Sequence, residues 1–241
     1  MAKTLANLVT GIRVYLDEAS VADYTAAEVL RSANYGYHDV VREVIEVYEE
    51  FYSTTTPYTY AIVANQQEYT IASSLIKVTR VEINYKPTDS NSRAMRALPV
   101  KKDEILTNLA HSNSSGSLFN AGYYLHGNIG AQKIGFIPIP TIADTSGQSI
   151  SVWGIDLPSD LSADSDNVNI PYADNFAQLI ELKAASILLS KGQQAESSST
   201  KYIGLYKQGT PEMKQFLSER QSDSVRMIAD SEGDNIDFGS F

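Results

Sequence analysis

Asp160, Asp164 and Asp166 share one Asp-, Ser- and Asn-rich stretch, and they are the side chains best suited by type to a cation, because hard ions need several oxygens converging from one loop. The spacing fails. Counted from Asp164, the third ligand position is Asp166, but the fifth is Val168, the glycine position is Asn169 and the twelfth is Asn175, so a solvated loop is the better reading. His38, His111 and His126 stand apart from one another, at neither metal-protease nor zinc-ribbon spacing. Ser74 to Lys77 and Ser198 to Lys201 both spell Ser-x-x-Lys, without the Ser-Asp-Asn and Lys-Thr-Gly motifs of an acyl-enzyme. Asp237-Phe238-Gly239 spells the kinase metal-binding tripeptide, without a Gly-rich loop or catalytic-loop pattern. No phosphate-cradling glycine loop is present, and the chain has no cysteine, hence no thiol nucleophile, thiolate metal site or disulfide framework. The expectation is a protein that is not an enzyme, with no catalytic residues, no cofactor and no metal.

Composition narrows the remaining classes. At 241 residues and 43% hydrophobic, the chain can bury an ordinary core. A formal charge of -10 argues against a protein built to grip phosphates. The first ten residues carry one Lys and no apolar run of signal-peptide length. The apolar stretches around Ile134 to Ile139 and Ile187 to Leu189 are far short of a membrane span. Fifteen tyrosines cluster partly at Tyr48 to Tyr60 and Tyr123-Tyr124; such side chains suit core edges and protein interfaces alike.

The elements that must position these residues are read from periodicity. Leu5, Leu8, Val9, Ile12 and Leu16 mark a short amphipathic helix. A second helix starts at the Thr25/Glu28 capping box and is expected to run to about Phe51, with Glu43, Glu46, Glu49 and Glu50 on a solvated face. Six strands follow: Tyr58 to Val63, Glu68 to Ile71, Ile76 to Tyr85, Gly122 to Leu125, Lys133 to Ile137 and Gln148 to Ile155. Lys101 to Ala110 reads as a short helix, and Asp156 to Pro171 as an exposed loop. Tyr172 to Lys191 is the most apolar helix, closed by Gly192, with Pro171 suited to its first turn. The last helix starts after Ser197 to Ser199 and restarts or kinks at Thr210-Pro211 before reaching about Ala229.

The fold class is therefore α+β: a helical bundle of N- and C-terminal helices, an inserted antiparallel β-sheet or sandwich domain, and an extended C-terminal arm. The expected boundaries are 1–56 for the N-terminal helices, 57–156 for the β-rich insertion, 157–229 for the helices completing the bundle, and 230–241 for an acidic tail.

This order of parts resembles the bacteriophage head-to-tail connector adaptor, or head completion, family. The likeness is carried by Tyr69-Thr70-Ile71 before Ile76 to Val81, by Tyr123 to Gly127 before Ile134 to Pro140, and by Leu157 to Asp160 through Ile170-Pro171-Tyr172 into Phe176 to Ile180 and Ala184-Ala185. The resemblance implies a structural virion protein, assembled in the host cytoplasm, that forms an adaptor ring, usually of twelve copies. Such a ring joins the portal protein to a tail protein and forms part of the channel through which DNA passes without specific binding. It implies that Met227, Ile228, Ile236, Phe238 and Phe241 belong to a portal-binding arm, and that no membrane is involved. Acidic residues facing the lumen would lower friction on DNA, whereas a lumen dominated by Lys77, Arg80, Lys101 and Lys102 would contradict that idea. The alternative is a phage tail or baseplate protein whose β-domain binds carbohydrate on stacked aromatic side chains. A metal-dependent hydrolase using the Asp loop ranks last, since no converging set of ligands can be assembled from the sequence.

Overall fold

The computed structural model describes residues 3–17, 23–85, 93–101, 122–127, 131–137, 139, 148–191 and 196–222. The chain is α+β and divides into two compact units, one of Met1–Tyr48 with Leu161–Phe241 and the other of Glu49–Asp160.

The first unit holds four described helices, α1 (Leu5–Tyr15), α2 (Ala26–Val47), α3 (Ala173–Leu189) and α4 (Glu196–Ser222). α1 starts at Thr4, and its first N–H groups, which no helical carbonyl can accept, are taken by the chain that precedes α3: Leu5 donates to the Asp166 carbonyl at 2.9 Å and Ala6 to that of Asp164 at 3.1 Å. That segment is not the wholly exposed loop its composition suggests. Leu161, Val168 and Ile170 are buried, and the Asn34 amide clamps Leu161 by accepting from its N–H at 2.8 Å and donating to its carbonyl at 3.0 Å.

α2 begins with the expected capping box, Thr25 and Glu28 satisfying each other's backbone N–H. It stops at Val47 rather than near Phe51, because Tyr48 leaves helical geometry at φ -141° and ψ 60°; Glu49–Tyr52 form a 3-10 turn. The buried stripe Val29, Ala33, Tyr37, Val40, Val41 and Val44 faces a core shared with α3. Gly36 sits where the two backbones meet, since a Cβ there would lie 2.8 Å from the Ile180 carbonyl oxygen.

α3 carries ten buried residues and is enclosed by the other helices. Its N-cap, Tyr172, adopts a left-handed conformation at φ 53°, so Pro171 precedes the cap instead of occupying the first turn. α3 ends at Leu189; Gly192 lies outside the described residues. α4 begins at Glu196, with the serine run inside its first turn, and continues through Pro211 to Ser222 without restarting. Thr210 supports the passage by donating from Oγ1 to the Tyr206 carbonyl at 2.8 Å.

The second unit contains two four-stranded sheets among its described residues. The strands are β1 (Tyr58–Ala61), β2 (Glu68–Thr70), β3 (Leu75–Tyr85), β4 (Arg93–Arg96), β5 (Leu98–Pro99), β6 (Gly122–His126), β7 (Lys133–Ile137) and β8 (Ser149–Asp156). One sheet has the order β1-β8-β3-β4 and the other β2-β7-β6-β5. All pairings are antiparallel except the short parallel β5/β6 edge. Ile62, Tyr69, Ile71, Val81, Ile83, Ile134, Phe136, Ile150 and Val152 form the core of this unit. The helix expected at Lys101 to Ala110 lies outside the described residues apart from Lys101, as do Pro138 and Pro140.

Candidate functional site

The arm residues Met227, Ile228, Ile236, Phe238 and Phe241 lie outside the described residues. His111 and Asp237 to Gly239 also lie outside the described residues, and several of the other residues singled out by type have local tasks. Asp166 accepts from the Ser162 and Ala163 N–H groups at 2.7 and 2.8 Å, which holds its carboxyl below the usual aspartate range. Ser74 bonds Tyr58 and Asp156, and Lys77 pairs with Glu49. Among the described residues no group of three His, Asp or Glu side chains is placed to hold a metal ion.

One ionisable cluster of the sheet unit centres on Glu68. Its carboxylate lies 2.8 Å from His126 Nε2 and 3.5 Å from Lys133 Nζ, and the Tyr124 hydroxyl donates to it at 3.4 Å. Burial pushes the Glu68 carboxyl up, but His126 and Lys133 outweigh it and the net direction is down. The Tyr124 ring occupies the space a Cβ of Gly135 would need, directly across the β6/β7 register, and stacks on His126. The cluster joins β2, β7 and β6, since Glu68, Lys133 and the pair Tyr124 and His126 come from those three strands. The aromatic side chains a sugar platform would use are mostly spent on packing: Tyr52, Tyr69, Tyr123 and Tyr124 are buried, and the Trp153 ring is covered by the Arg80 guanidinium at 4.5 Å.

In the helical unit, Glu43 and Glu46, expected on a solvated face, also make ion pairs, as does Asp39, which the sequence alone did not single out. Lys214 of α4 meets both Glu43 and Glu46, which raises its own pKa, and Asp39 meets Lys183 at 2.9 Å and Arg42 at 3.2 Å. These contacts fix α2 against α3 and α4. Glu181 of α3 is buried, which pushes its carboxyl up against the opposing pull of Lys3 at 3.1 Å; it lies where a Cβ of Gly11 would be.

A groove of about 290 Å³ lies between α3 and α4, lined by Phe176, Leu179, Leu182, Leu205 and Gly209 together with the polar Asn175, Gln178, Gln208 and Glu212. Gly209 lets the helices close, since its Cβ would lie 2.7 Å from Leu179 Cδ2. Leu205 is 41% exposed at the rim. At one end Phe216 packs edge-on against Tyr172 and Phe176, and Arg220 lies over both Phe216 and Tyr172. Leu205 was legible on the apolar side of the last helix; the meeting of Gly209 with Leu179 was not, because that needs the helix-to-helix register.

No curated protein matches the chain. The family model described as SU10 adaptor protein matches residues 3–228, which takes in all four described helices and both sheets. The chain belongs to the SU10 adaptor protein family and is a phage adaptor, a structural component of the virion.

Proposed function

We propose that the chain is one copy of a closed ring, of about twelve copies on the family resemblance, seated between the portal and the tail and lining part of the DNA channel. The observation that carries this reading is the groove between α3 and α4. An open groove on a helical surface that sets Leu179 and Leu182 among the exposed polar Asn175, Gln178, Gln208 and Glu212, with aromatic and Arg side chains at its end, has the mixed composition of a protein interface. Repetition of one heterologous contact closes into a ring when the rotation permits.

The charge distribution supports a division of labour. Of the 29 acidic and 19 basic residues, 19 and 11 fall in the helical unit, net -8, of which residues 230–241 supply -4, against 10 and 8 in the sheet unit, net -2. A channel wall built from the helical unit would therefore repel DNA phosphates rather than retain them. In this reading Met227, Ile228, Ile236, Phe238 and Phe241 anchor on the portal, catalysis plays no part, and no cofactor is needed.

The test is sedimentation of the purified chain alone and mixed with purified portal, for the full chain and for a chain lacking residues 230–241. Portal-dependent assembly that the truncation weakens supports the ring and its arm. A monomer that ignores the portal in both forms contradicts them. The baseplate reading predicts instead binding to host-surface polysaccharide, which the same preparations can be assayed for.

A further inference from the structure

We propose that a second cleft, in the sheet unit, docks a carboxylate-bearing acidic segment of a protein partner. It measures about 290 Å³ and is lined by Ser53, Thr54, Thr79, Arg80, Arg96 and Trp153. The β3/β8 register sets Arg80 opposite Trp153, and the β3/β4 register sets Glu82 opposite Arg96. A register irregularity falls between Val78 and Arg80, where the extra twist of a bulge re-aims side chains.

Arg80 is held rather than free. Its guanidinium stacks on the indole at 4.5 Å, and Nε lies 3.2 Å from Glu82 Oε1. Arg96 is exposed, and among the described residues no carboxylate lies within ion-pair range of it. Thr54 is fixed at the edge, donating its N–H to the Gly154 carbonyl at 2.8 Å and accepting from the Gly154 N–H at 3.2 Å. The Trp153 indole nitrogen is buried with no acceptor among the described residues, an arrangement that native cores avoid. Two guanidinium groups, one already braced by Glu82, thus line a cleft to which no carboxylate contributes among the described residues.

This chemistry selects an oxyanion, which carboxylates and phosphates share. Three observations favour the carboxylate of a protein. Two arginines neutralise about two phosphates, too few to hold nucleic acid in a chain of net charge -10. Arg beside a buried-edge Trp is the composition of an interface hot spot. The cleft has room for one or two side chains, not for a tracked strand. The assignment is independent of the ring reading, which rests on the other unit.

Trp153 is the only tryptophan, so its emission reports the cleft. The full chain is titrated at low salt with an acetylated, amidated hexaglutamate peptide, with hexaglutamine, with inorganic phosphate and with a single-stranded oligothymidylate. The expected result is a saturable emission change with hexaglutamate and none with hexaglutamine. Arg96→Ala should weaken it by about tenfold, and Arg96→Lys, which keeps the charge but loses the planar fork, by less. No change with hexaglutamate, unaltered affinity in both Arg96 variants, tighter binding of the oligonucleotide, or a response to phosphate alone would each overturn the proposal.

Discussion

Replacing Gly36 with alanine tests whether α2 and α3 meet backbone to backbone. The added Cβ would lie 2.8 Å from the Ile180 carbonyl oxygen and 3.4 Å from the Ala184 nitrogen. Both are main-chain atoms of a buried helix, so relief requires the helices to part by roughly half an ångström, and overpacking of this kind costs about 1–3 kcal/mol. Alanine in a helix interior returns about 0.5–1 kcal/mol relative to glycine. The net expectation is a loss of about 1 kcal/mol. Gly204 supplies the control: it is exposed in α4 and a Cβ there meets nothing within 4 Å, so Gly204→Ala should show only the gain, about 0.5–1 kcal/mol. With a change of about 2–4 °C per kcal/mol for a chain of this size, the two variants should melt roughly 3–8 °C apart by far-ultraviolet circular dichroism, with wild type between them. A Gly36→Ala protein that melts with or above Gly204→Ala refutes the close approach.

Three further outcomes follow from the same packing. Pro211→Ala should raise helical stability by about 1–3 kcal/mol, because a helix that runs through Pro211 leaves the Lys207 carbonyl without its donor; a drop in thermal midpoint would mean that Pro211 starts a helix instead. Glu181 has a folded pKa above its unfolded value, so its titration favours the fold at low pH and that contribution disappears as pH rises through the raised value. Glu181→Gln should therefore be the more stable protein near neutrality, with the advantage vanishing below about pH 4. For Asp166 the sign is opposite: its pKa is lowered, its stabilisation is present above the ordinary aspartate value, and it is lost as pH falls through the folded one. Asp166→Ala should speed amide exchange at Ser162 and Ala163; unchanged exchange there would deny those two hydrogen bonds.

Features with a local cause were legible in the sequence, and features with a distant cause were not. The Thr25/Glu28 box starts α2 because both partners lie within one turn. The end of α2 was misread because the apolar period continues to Phe51 and neither Gly nor Pro marks Tyr48. β4 and β5 were missed because Arg93–Arg96 has no alternating apolar side and Leu98–Pro99 is only two residues long; their pairing with β3 and β6 makes them strands. The loop before α3 looked exposed because its acids and serines hide the spacing of Leu161, Val168 and Ile170. In the same way, Arg80 and Trp153 are far apart in sequence, and only the β3/β8 register brings them together.

The most direct test of the connector assignment is a reconstruction of the virion neck at a resolution that identifies side chains. The account predicts repeated density for the Trp153 sheet unit and the α1–α4 bundle in a ring between portal and tail, with the α3/α4 groove filled by the neighbouring copy. Density for this chain at the baseplate or tail tip, or a neck ring built without it, would contradict the account.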